Sequence, residues 1–151
     1  MTLLLLLAPA IVAADGQWAA LSQGRTCEAA AQSVGTVARD RPPARASLSF
    51  DGGGPRNGQL AVRLSRLPRA GATVMLRIGE QPFLLVSQGD MAWSRGPKQE
   101  QAIIAAMRSN GGMRVEVRSP GGGRIIDRYS LDGAPLAIDA AAACAAALVN
   151  R

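Results

Sequence analysis

The chain has 151 residues, a formal charge of +6 and no histidine, which is enough chain for one domain with a real core. The missing histidine excludes Ser/His and Cys/His nucleophile systems and removes the commonest metal ligand. The charge comes from 17 basic against 11 acidic side chains. All the basic ones except Lys98 are arginine, a balance that favours acidic partners: nucleic acid, anionic lipid or lipopolysaccharide.

In chain order, Leu3 to Leu7 run into Ala8-Pro9-Ala10-Ile11-Val12-Ala13-Ala14, and the chain turns polar at Asp15. An apolar stretch ending in small residues reads as an export signal, with Val12-Ala13-Ala14 acceptable to a signal peptidase. Residues 1–14 are therefore expected to be a signal peptide, leaving 15–151 as one domain in the periplasm or outside the cell. The stretch is shorter than the ~20 apolar residues of a membrane span. A buried N-terminal strand is the alternative.

Residues 17–21, around Trp18, form a first short strand. Residues 27–38 form a second after a turn at 22–26, although their alanine-rich start is compatible with helix. Arg41-Pro42-Pro43 breaks the chain, because proline removes a ladder donor and restricts its predecessor. Alternation then marks half-buried strands. In 46–50, Leu48 and Phe50 share a face, and a glycine-rich turn over 51–58 closes on Asn57-Gly58. In 60–64, Leu60, Val62 and Leu64 point inward and Arg63 outward. Residues 73–78 and 83–86 flank Gly79-Glu80-Gln81-Pro82 as a hairpin, Gly89-Asp90 reverses the chain, and 91–93 form a short strand.

The period then changes. Residues 97–109 are helical, with Pro97 in the first turn and Asn110-Gly111-Gly112 as the stop. Ile103, Ile104 and Met107 form the apolar stripe, while Lys98, Glu100 and Arg108 face water. Residues 113–118 alternate strictly, 120–123 turn, and 124–131 make the partner strand. Residues 135–148 are almost pure alanine, a strong helix former, and carry Cys144. The fold class is mainly β: an immunoglobulin-like antiparallel β-sandwich with one inserted helix and a C-terminal helix docked on it.

Cys27 and Cys144 lie near the two ends of the folded portion. Two cysteines without histidine do not make a metal site, and no C-x-x-C pair exists. In an exported chain they read as one disulfide; two buried free thiols are the alternative. Four carboxylates are candidates for acid/base work: Glu80, Asp90, Glu116 and Asp127. Alternation puts Glu116 on the solvent side, and a local ion pair is the plain role of Asp127. Gly52-Gly53-Gly54 and Gly121-Gly122-Gly123 lack the Lys-Ser/Thr of a phosphate loop and read as turns. Arg39, Arg41, Arg45, Arg56, Arg63, Arg66, Arg69 and Arg77 are scattered in sequence, and aromatics are few. That pattern points to a generally basic surface rather than a specific nucleic-acid site.

Three features together resemble the invasion-associated locus B family of exported bacterial proteins. They are Trp18 ahead of Cys27-Glu28-Ala29-Ala30, Ala92-Trp93 leading into 102–107, and the tail Asp127-Arg128-Tyr129-Ser130-Leu131-Asp132-Gly133 followed by alanines and Cys144. The resemblance implies an immunoglobulin-like sandwich with a signal peptide, periplasmic or secreted, with no catalytic residues attached. Members often carry another cysteine soon after the N-terminal Trp, where Ala19, Ala20 and Leu21 stand here. The pairing of Cys27 with Cys144 therefore rests on this chain's own cysteines.

The function expected is non-enzymatic: binding of an unknown protein or acidic envelope component, with no cofactor, no metal, and no transmembrane segment after residue 14. A cell-wall or glycan hydrolase using two of the four carboxylates is one alternative, and a periplasmic chaperone-like sandwich is another.

Overall fold

Alternation of apolar and polar side chains runs through most of the chain, and it folds into two antiparallel sheets. A computed structural model describes residues 8–35 and 40–150. The larger sheet begins as a meander of β1 (Ala10–Asp15), β2 (Trp18–Gln23), β3 (Thr26–Gln32), β4 (Arg45–Asp51) and β5 (Asn57–Arg63). It is completed beside β5 by β9 (Met91–Trp93) and then β8 (Val86–Gln88). The smaller sheet orders β11 (Arg124–Ser130), β10 (Gly112–Arg118), β6 (Met75–Ile78) and β7 (Gln81–Leu84). The helices are α1 (Pro97–Ser109) and α2 (Ala134–Val149). The architecture is the expected mainly-β sandwich with an inserted and a C-terminal helix.

One contiguous core joins the layers. The larger sheet contributes Trp18, Ala20, Ala29, Leu48, Leu60 and Val62, and the smaller contributes Leu76, Ile78, Val115, Val117 and Ile125. Helix α1 adds Ile103 and Met107. Helix α2 lies on β1 to β4 through a stripe of Ala134, Ala137, Ile138, Ala141 and Ala145. Its partners on the strands are also small, among them Ala20 and Ala29, so helix and sheet approach closely. Cys27 and Cys144 are bridged there, with Cα atoms 6.1 Å apart, inside the range a disulfide spans. The cysteines thus form the disulfide, not free thiols.

The start of α2 is fixed by a close approach of two turns. Gln17 N–H donates to Asp132 C=O at 3.0 Å, and Trp18 Nε1 donates to Ser130 C=O at 2.8 Å. Gly133 sits at φ +85°, and a Cβ there would fall 1.8 Å from the Asp15 carbonyl oxygen. Only glycine fits.

Local structure adds detail to some expectations and revises others. Residues 10–15 form β1, an edge strand paired with β2 that leaves Ile11 and Val12 exposed; residues 1–7 of the expected leader lie outside the described residues. Residues 26–32 are strand, as expected for the start of 27–38, and 36–39 of that expected segment lie outside the described residues. Asn57-Gly58 does not close the turn but opens β5, across a register shift opposite Ser49 and Phe50. The shift has a packing reason: Gly58, at φ +96°, leaves room for Ile104, whose Cδ1 lies 2.8 Å from where a Cβ would stand.

The 79–82 hairpin is tighter than expected, with Gln81 and Pro82 inside β7. Val86 belongs to β8 in the other sheet. Glu100 is buried instead of facing water, because Ser94 Oγ donates to it at 2.5 Å while accepting from Leu60 N–H at 3.0 Å.

Candidate functional site: a basic sheet face

Strand β10 reads Met113-Arg114-Val115-Glu116-Val117-Arg118, and its odd positions are buried. Its partner β11 alternates likewise, with Ile125, Asp127 and Tyr129 inward. Side chains on a strand alternate between faces, so Arg114, Glu116, Arg118, Arg124, Ile126 and Arg128 share the outer face. Register then aligns them across the sheet. Arg128 faces Arg114, which faces Arg77, which faces Pro82. The next row is Ile126, Glu116, Met75 and Leu84, and Arg118 lies opposite Arg124 beyond it.

Five arginines and one glutamate thus leave four positive charges in excess on one solvent-facing surface. This is most of the chain's +6. Of the eight arginines read as scattered in sequence, Arg77 alone lies on this face, where it gathers with four later ones because their strands are neighbours. Such a surface concentrates anionic partners over several ångströms and more.

Glu116 organises the centre. Arg114 Nε donates to it at 2.6 Å and Arg77 Nε at 3.3 Å, and Arg124 lies at 3.8 Å. The Arg114 hydrogen bond, ahead of opposing desolvation, holds its carboxyl below the ordinary range. Arg118 is turned to the Gly122 carbonyl at 3.2 Å, and Arg128 is exposed. A shallow depression of about 200 Å³, lined by Thr73, Met75, Arg77, Glu116, Val117, Arg118 and Arg124, opens on this face. The guanidinium forks suit bidentate capture of phosphate or carboxylate.

The four carboxylates considered for acid/base chemistry lie apart. Glu80 is exposed in the β6–β7 turn and Asp90 in the β8–β9 turn, at the other sheet. Glu116 is on the outer face, held ionised and so poorly suited to donate a proton. Asp127 is on the inner face, buried, and accepts from Ser65 N–H at 2.9 Å; its partner is a backbone amide, not the expected local ion pair. Beside it the Tyr129 phenol is buried, and burial, then the Asp127 charge, pushes its ionisation well above the ordinary range.

Among the described residues no three His, Cys, Asp or Glu side chains are grouped to hold a metal, and no helix is long and apolar enough to cross a membrane. The alternation in 113–118 and 124–131 was the signal that could have found the basic face. It needed the pairing of the two strands with β6 to be read as one surface.

No protein-family model matches the chain, and no curated protein matches it. Among solved structures, a crystal structure of invasion associated protein B from Bartonella henselae is similar, with a TM-score of 0.60 at 18% identity, covering 89% of this chain and 97% of that one. At that identity the likeness shows the fold.

Proposed function

We propose that the chain is an exported, non-enzymatic β-sandwich of the invasion-associated locus B type, binding an acidic envelope or extracellular component through the outer face of the smaller sheet. The observation that carries the reading is the set of five arginines in register around a single carboxylate. Export is supported by the Cys27–Cys144 disulfide, a bond that persists in oxidising compartments. It is supported also by the leader-like N-terminus and by the fold likeness to an invasion-associated protein. Nothing in the arrangement of Glu80, Asp90, Glu116 and Asp127 favours the hydrolase alternative.

The test is co-sedimentation of the purified chain with isolated bacterial envelope fragments. Binding is expected at low ionic strength, weakening as salt rises because exposed charges are screened, and weaker still in an Arg118→Ser/Arg128→Ser variant that leaves the Glu116 cluster intact. Salt-independent binding, or equal binding by the variant, would contradict the reading.

A further inference from the structure

The outer face is not uniformly charged. Between its two arginine rows runs a row containing Leu84, Met75 and Ile126, with Glu116 among them. Leu84 is 38% exposed and Ile126 40%. These positions alternate with buried Phe83, Leu76 and Ile125, so they are not inward residues displaced by poor packing. Same-face residues repeat roughly every 6.8 Å along a strand and about 4.8 Å across strands. The aliphatic row therefore lies only one repeat from each basic row. A hydrophilic polyanion has use for the arginines and none for exposed aliphatics between them. A lipid surface uses both, because interfacial anchoring combines basic side chains on phosphates with apolar groups at the headgroup boundary.

We infer that this face lies flat on an anionic phospholipid surface, with Arg77, Arg114, Arg118, Arg124 and Arg128 on lipid phosphates and Leu84, Met75 and Ile126 set among the headgroups. The inference rests on the proposed acidic-partner reading and names lipid as the acidic component. Glu116 becomes the tuning element of the surface: it occupies the middle row, holds Arg77 and Arg114 by hydrogen bonds and lies within reach of Arg124. Neutralising it frees those guanidiniums for phosphate.

The test uses the full chain with vesicles of phosphatidylcholine alone, the same vesicles containing phosphatidylglycerol, and heparin as a soluble polyanion. Partition is expected into the phosphatidylglycerol vesicles and not into phosphatidylcholine alone. Arg118→Ser weakens it about fivefold and Glu116→Gln strengthens it by a similar factor, as expected for one charge near an anionic surface. Ile126→Ser, at a solvent-facing site on an edge strand, retains the native circular dichroism spectrum and loses the part of the binding that survives high salt.

Binding to heparin without binding to phosphatidylglycerol vesicles would overturn the lipid assignment and leave the acidic-partner reading standing. Binding to neither would overturn both. Unchanged partition of Ile126→Ser at every salt concentration would overturn the role given to the apolar row.

Discussion

Reduction of the Cys27–Cys144 disulfide is expected to release a large fraction of the fold's stability. The bond links residues separated by 117 positions. Constraint of a loop that long stabilises by roughly 4–5 kcal/mol in the chain-entropy account, with measured values often lower. The apolar stripe of the helix it secures is of comparable strength. The buried stripe of α2 comprises Ala134, Ala137, Ala141, Ala145 and Ile138. Four methyl groups and one isoleucine side chain contribute about 5–6 kcal/mol at most, before the entropy of ordering the helix is subtracted.

The covalent link and the fully buried apolar stripe of α2 are thus of the same size. Urea unfolding with and without reductant measures the difference, and a Cys27→Ser/Cys144→Ser variant repeats it without added thiol. A loss of about 4 kcal/mol shifts the midpoint by roughly 2 M at the m-values usual for domains of this size. Coincident midpoints and slopes for oxidised and reduced protein would refute the claim that α2 depends on the bond.

Gly133→Ala places a methyl 1.8 Å from the Asp15 carbonyl oxygen at φ +85°; a loss of about 2–4 kcal/mol is expected in the same assay, and a change within about 0.5 kcal/mol would show that the two turns separate easily. Ser94→Ala removes the donor to buried Glu100 and the acceptor of Leu60 N–H; a cost of about 2–3 kcal/mol follows from leaving buried polar groups unpaired, and thermal unfolding checks it.

Asp51 is hydrogen-bonded by Arg56, and this contact chiefly lowers its pKa from 3.8 to about 2. A carboxyl that binds its proton less readily when folded stabilises the fold above its unfolded pKa, and that contribution fades as pH falls through the folded value. Asp51→Asn should therefore flatten the loss of stability between pH 3.8 and 2, and an unchanged pH profile would contradict the pairing.

Much of this fold is legible in the residues. Period-two runs at 60–64 and 113–118 become β5 and β10 because one face of each meets the core, the run at 46–50 becomes β4 with Ser47 and Ser49 on its polar face buried as well, and the alanine run at 135–148 becomes α2 because alanine carries no helix penalty. Pro97 and Asn110 bracket α1 nearly to the residue. The misses lie where tertiary contacts override local pattern. Glu100 has the look of a solvent-facing helical carboxylate, and only the arrival of Ser94 from the end of β9 makes its burial tolerable.

Val86 continues an apolar run with Phe83 and yet changes sheet after Leu85, whose N–H donates to Val74 C=O at 3.0 Å. The basic face was half visible. Each strand states its own alternation, but β6 is separated in sequence from β10 by three short strands and a helix, and only sheet order lays Arg77 beside Arg114.

The central claim is that acidic surfaces are met through the outer face of the smaller sheet. Its most direct test compares two charge reversals of equal size, Arg128→Glu on that face and Lys98→Glu on α1, in binding to envelope fragments at low ionic strength. The account predicts that Arg128→Glu weakens binding severalfold while Lys98→Glu leaves it close to that of the unaltered chain. Equal weakening by both would show that net charge alone governs binding, and that the aligned arginines form no site.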